Sequence, residues 1–150
     1  MSPGGKAALV AAGTVAADQA VKALVRSTIE RGDAVELILG IQLVNVRNRG
    51  IAFGLFSDGG VLLVLFALAA LAALLVFFAR HRDRPLVWLP TGLLIGGACG
   101  NLIDRTREGA VTDFMDLPWW PAFNVADVAI TFGVLTLLYV LEGQPRHGRR

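Results

Sequence analysis

The sequence predicts an all-α polytopic membrane protein: four transmembrane helices, with short extended segments between the first two. Three observations lead there. The hydrophobic fraction is 55% and the mean hydropathy +0.60, high for a soluble chain of 150 residues. Gly60 to Ala79 is an uninterrupted uncharged run, long enough at about 1.5 Å per residue to cross a hydrocarbon core of about 30 Å. Basic clusters sit at the ends of apolar segments, as membrane flanks do, while the net charge of +2 argues against a nucleic-acid surface.

The first span, about residues 7–25, is the weakest because Asp18 and Lys22 lie inside it. Two readings compete. Lys6, the apolar run and Val15-Ala16-Ala17 look like a cleavable secretory signal. Against cleavage, Asp18 and Lys22 are four apart and can pair on one helix face, and apolar residues resume after them. A retained helix is the reading adopted. Between 26 and 59, Val35, Leu37, Leu39, Ile41 and Leu43 alternate at period two, which suggests one or two strands lying on the membrane surface. GIAFGLFSDGG at 50–60 holds four glycines between strand and helix, where the second span, 60–79, begins, and reads as a mobile outer segment. RHRDRP at 80–85 stops that span; the third covers 86–103, interrupted by Pro90 and glycines, and the fourth 122–141. The three arginines of the short RHRDR turn place it and both termini in the cytoplasm, with 26–59 and 104–121 outside. Trp119, Trp120 and Phe123 read as an outer aromatic belt, Trp88 and Tyr139 as the inner one. Residues 1–150 form one membrane-embedded domain without repeats.

Asp104, Glu108, Asp113, Asp116 and Asp127, five of the twelve acids, fall within 24 residues of an otherwise oily chain. Such charges at membrane depth need partners or a task. Gly92, Gly96 and Gly100 give the third helix one smooth face for close packing. Asn101, Asp104 and Arg105 follow, and the simplest reading is a boundary charge pair, Asp104 with Arg105. Asn124 and Asp127, three apart, face the same way on the fourth helix; Asp113 sits in the short link before it and can fold back against Asp127. Two carboxylates sharing one partly dry site cannot both ionise cheaply, so the pair would supply an acid and a base. His81 and His147 lie on the other side, so a histidine-liganded metal or a serine–histidine pair is not expected, and Cys99 reads as packing. From the residues alone two rivals stay open: a small transporter relaying ions through Asp104 and Asp127, and a scaffold whose acids only pair with Arg105 and Arg107.

DQAVK at 18–22, NRGIAFG at 48–54, GGACGNLIDR at 96–105, GAVTDF at 109–114 and FNVAD at 123–127 resemble, in order, five blocks of the lipoprotein signal peptidase (signal peptidase II) family. The resemblance runs from Asp18 to Asp127. It implies a small extracytoplasmic β-cradle beside the four helices, no metal and no organic cofactor. It implies an aspartic endopeptidase of the bacterial inner membrane, active site outward, with Asp113 and Asp127 as catalytic dyad. Asn48, Asn101, Arg105 and Asn124 match positions that line or brace the site; Asp18, Lys22 and Asp104 match mainly structural polar positions. The implied partners are prolipoproteins carrying a diacylglyceryl cysteine, cut just before that cysteine, and membrane lipids, with the enzyme a monomer. Thr112, where a branched apolar residue is common, is a small departure that removes no required group.

Overall fold

The computed structural model describes residues 1–50 and 59–142. The proposed outer segment of GIAFGLFSDGG and the end of NRGIAFG fall mostly outside the described residues. Helix α1 (Pro3–Thr28) is followed by strands β1 (Ala34–Ile38) and β2 (Ile41–Asn48), then helices α2 (Gly59–His81) and α3 (Trp88–Glu108). Strands β3 (Val111–Leu117) and β4 (Trp120–Phe123) connect α3 to α4 (Val125–Glu142). The strands form one antiparallel sheet in the order β1-β2-β3-β4. The link expected to carry Asp113 is therefore a β-hairpin, and the acid stands on a strand.

Capping chemistry explains where the helices depart from the expected spans. α1 begins at Pro3, not near 7, because Ser2 Oγ accepts the Gly5 N–H at 3.1 Å and proline suits the first turn. At its other end Asn45 Nδ2 donates to the Ile29 carbonyl at 2.8 Å. α3 continues past Ile103 until Gly109, whose φ of +70° lets its N–H turn back to the Arg105 carbonyl. α4 starts at Val125, not 122, because Trp120–Phe123 pairs with β3.

Among the described residues three helices are long and apolar enough to cross a membrane: Pro3–Thr28, Val64–His81 within α2, and Val125–Glu142. α3 has the length but carries Asn101, Asp104, Arg105, Arg107 and Glu108, which lower its apolarity. It is packed between α1 and α4, and its glycines make that possible. A Cβ on Gly92 would stand 2.7 Å from the Ala7 carbonyl oxygen, one on Gly96 2.6 Å from Thr14 Cβ, and one on Gly97 2.5 Å from the Ala126 carbonyl oxygen. Gly92, Gly96 and Gly100 all face α1, as their spacing predicts, while Gly97 opens a second close contact toward α4. α2 exposes Leu65, Phe66, Leu75 and Val76, the surface expected against lipid.

The β1–β2 hairpin turns at Leu39 and Gly40, both with positive φ (51° and 79°), as a two-residue turn between twisted strands requires. Its tip leaves Ile38 and Leu39 in the open, fitting a strand pair that lies on a bilayer. A compact apolar cluster of Val25, Ile29 and Phe114 joins the end of α1 to β3 and fixes the sheet against the helices. At the opposite end Lys6 Nζ lies 5.5 Å from the Trp88 ring, so α1 and α3 start at the same level. Trp119 and Trp120 at the sheet end and Tyr139 near the end of α4 are exposed, as belt residues would be.

Candidate active site

Asn124 is where the two acids meet. As the residue before α4 it caps the helix: its Oδ1 accepts the Asp127 N–H at 3.0 Å, and Asp127 Oδ2 accepts the Asn124 N–H at 3.2 Å. This reciprocal pair is a capping box with aspartate in the third helical position. The same Asn124 uses its amide Nδ2 to donate to Asp113 Oδ1 at 2.6 Å and to Asn101 Oδ1 at 3.1 Å. One side chain thus starts the helix and holds both carboxylates in one cluster.

Each acid has a second holder. Register places Val46 opposite Asp113, so Asn48, two residues along, falls on the same face and donates Nδ2 to Asp113 Oδ2 at 2.9 Å. Asn101, on α3, donates Nδ2 to Asp127 Oδ1 at 2.8 Å. Asp113 is buried, whereas Asp127 is half-exposed. Burial pushes the Asp113 carboxyl above the ordinary aspartate range and the neighbouring charge of Asp127 pushes the same way; Asn48, Asn124 and Lys22 pull it down without cancelling the rise.

Beneath this cluster lies a dry ionic layer. Lys22 and Asp18 are fully buried and paired at 2.8 Å, the i,i+4 pair anticipated from spacing. Lys22 also reaches Asp104 Oδ2 at 3.1 Å and donates to Asn101 Oδ1 at 3.0 Å. Asp18 Oδ1 accepts the Ala126 N–H at 2.9 Å, supplying a further cap to α4 from across the bundle. The expected Asp104–Arg105 pair is not formed. Adjacent residues on a helix point in different directions, so Asp104 turns inward to Lys22 and, at 3.8 Å, Arg26, and accepts the Thr112 N–H at 3.0 Å. Arg105 makes a long contact, 3.5 Å, from Nη1 to the Asn101 carbonyl, and among the described residues its buried Nε has no partner. Among the described residues it bonds to neither Asp113 nor Asp127.

Sequence reasoning missed Gln19, Arg26 and Thr112. Gln19 Nε2 lies within hydrogen-bond distance of Asp18 Oδ2 (3.1 Å), the Gly100 carbonyl (3.2 Å) and Asp104 Oδ1 (3.0 Å), tying α1 to α3. Arg26 donates Nη1 to Thr112 Oγ1 at 3.1 Å. The signal for all three was present: Gln19 sits inside DQAVK, Arg26 one turn beyond Lys22, and Thr112 is the polar residue in GAVTDF.

Two cavities flank the acids. One of about 370 Å³ opens beside Asp113 between Val46, Arg47, Asn48, Arg49, Pro121 and Ala122. The other, about 250 Å³, is apolar and opens beside Asp127, walled by Leu117, Trp120, Phe123, Val128 and Phe132. Among the described residues no three of His, Cys, Asp and Glu are grouped as metal ligands would be.

The chain is similar to known proteins over most of its length. The family model of signal peptidase (SPase) II matches residues 10–142. The chain is 38% identical over 132 residues to the lipoprotein signal peptidase of Halothermothrix orenii, covering 87% of this chain and 91% of that one. It is 41% identical over 135 residues to that of Moorella thermoacetica, covering 89% and 90%. A solved bacterial membrane enzyme superposes with a TM-score of 0.87 at 32% identity, covering 94% of this chain and 95% of that one. The chain belongs to the signal peptidase II family of membrane peptidases.

Proposed function

We propose that this protein is a lipoprotein signal peptidase that hydrolyses the peptide bond before a diacylglyceryl-modified cysteine, using Asp113 and Asp127 as a catalytic dyad. The observation that carries the reading is the shared amide of Asn124, which bonds the Asp113 carboxylate and caps the helix at Asp127. In this mechanism the two carboxyls share one proton, placed on Asp113 because it is the more deeply buried of the two. Asp113 donates to the scissile carbonyl oxygen while Asp127 takes a proton from water. Water oxygen bonds to the carbonyl carbon and gives a tetrahedral centre. Its collapse breaks the C–N bond: Asp127 gives the proton it took from water to the leaving amine, a hydroxyl of the tetrahedral centre returns a proton to Asp113, and the pair again holds one proton for the next cycle. Asn48 and Asn101 serve as holders, keeping each carboxylate from rotating away.

The apolar cavity at Asp127 suits a lipidated or apolar part of the substrate, and a membrane-held chain reaches the acids with little orientational freedom left to lose. In the same reading all four helices span the bilayer, α3 shielded by α1 and α4. Both termini and the α2–α3 turn face the cytoplasm and the sheet lies outside. The chain acts as a monomer without metal or organic cofactor, in the bacterial inner membrane. Asp18, Lys22 and Asp104 hold the scaffold, and Arg105, reaching back to the Asn101 carbonyl, braces the site.

The test is incubation of the purified protein in detergent with a purified diacylglyceryl prolipoprotein and with the same precursor unmodified. Release of an intact signal peptide from the lipidated form alone, ending just before the cysteine, is the expected result. Cleavage of both forms alike, or at another bond, would contradict the assignment.

A further inference from the structure

We propose that a cavity at the sheet-bearing end, between Arg31, Arg47 and Arg49, binds the phosphate of an anionic phospholipid headgroup. The cavity measures about 410 Å³ and is completed by Glu108 and Ala110. Its one acid is already engaged: Arg47 donates Nη1 to the Glu108 carbonyl oxygen at 2.9 Å and pairs through Nη2 with the Glu108 carboxylate. Among the described residues no acid forms an ion pair with Arg31 or Arg49. Three guanidiniums around one satisfied carboxylate leave an excess of positive charge facing an open cavity. Arginine's planar fork matches phosphate oxygens two at a time.

Position selects a lipid over a soluble anion. Arg31 stands just past the end of α1 and Glu108 is the last residue of α3, so the cavity lies where the bundle leaves the apolar layer. The sheet that contributes Arg47 carries large apolar groups without cover: Ile38 and Leu39 at the hairpin tip are 63% and 87% exposed, and Trp120 on the far strand 61%. A sheet that rests these apolar groups on the bilayer keeps its arginine-bearing end at the level of the headgroups, where a phospholipid phosphate is the anion at hand. The charge excess favours a net-negative headgroup over a zwitterionic one. This assignment does not depend on the peptidase reading, and its test reads binding alone.

Native mass spectrometry of the full chain in a neutral detergent, titrated with phosphatidylglycerol or phosphatidylcholine of the same acyl chains, decides it. Wild type is expected to retain phosphatidylglycerol preferentially. Arg31→Gln should weaken that retention about fivefold, and the Arg31→Gln/Arg49→Gln double variant by a similar factor again. Arg82→Gln, in the α2–α3 turn at the other end, should leave it unchanged. Both target arginines are exposed, and an unchanged circular dichroism melt verifies folding. Equal retention of the two lipids by wild type, an undiminished preference in the double variant, or full displacement of lipid by inorganic phosphate would each overturn the proposal.

Discussion

A single asparagine side chain, Asn124, carries two duties that separate experimentally, the cap of α4 and the donor to Asp113. Asn124→Ala removes the cap and the donor to Asp113 together, and the lost cap alone should cost about 1 kcal/mol of stability. Asn124→Asp keeps an acceptor for the Asp127 N–H but sets a third carboxylate against Asp113, so helix content should survive while turnover falls. Circular dichroism and a cleavage assay on both variants check this. Asp113 yields a prediction with a definite sign. Because its carboxyl is raised in the fold, it favours the folded state below its unfolded value, about 3.9, and that contribution is lost as pH climbs through the raised one. The melting midpoint of wild type should therefore drop over that window, and Asp113→Asn should lack the drop. Turnover should decline over the same window as the pair loses its shared proton, with apparent values belonging to the pair. At this scale the candidate residues were legible as polar groups in an oily chain, because an unpaired charge there is costly. Their partners were less so. Asp104 beside Arg105 suggested a pair that one hundred degrees of helical turn forbids, and the true partner, Lys22, lies 82 positions earlier in the chain.

Helices and strands were readable where a local signal sets them. The uncharged run at 60–79 became α2, and the alternation at 35–43 became the β1–β2 hairpin. What escaped was β3–β4. Val111 to Phe114 is buried throughout, so no alternation marks it, and Trp119 and Trp120 masked a turn and a strand as an anchoring belt. The glycines of α3 were read as a packing face, but only the fold shows that α4 uses Gly97. Gly97→Ala should force the Ala126 backbone away, since its Cβ would lie 2.5 Å from that carbonyl oxygen, and cost about 1–3 kcal/mol. Gly13→Ala, on α1 with nothing within 4 Å, is the matched control and should leave the melt unchanged or raised. Because Ala126 adjoins Asp127, Gly97→Ala should also slow turnover more than its stability loss explains.

Across the whole molecule, the buried layer of Asp18, Lys22 and Asp104 joins three helices to the sheet, and the acids above rest on it. Lys22→Met would strand Asp18 and Asp104 as uncompensated buried charges, at about 3–5 kcal/mol, and thermal melts in detergent should register it. Such a layer was only partly visible in the sequence: the Asp18–Lys22 spacing announced one pair, but nothing local announced that Asp104 and the α4 N-terminus would close around it. The placement of the ends is testable in cells, where Glu36→Cys should react with an impermeant maleimide from outside and Arg82→Cys should not. The central claim is that Asp113 and Asp127 act as one catalytic unit, and the most direct measurement is single-turnover cleavage of a diacylglyceryl prolipoprotein by Asp113→Asn and Asp127→Asn, each shown to be folded. Each variant should lose about 10²–10⁴-fold or more in rate, and the double variant little beyond either single one. Turnover near the wild-type rate in either folded variant would contradict it.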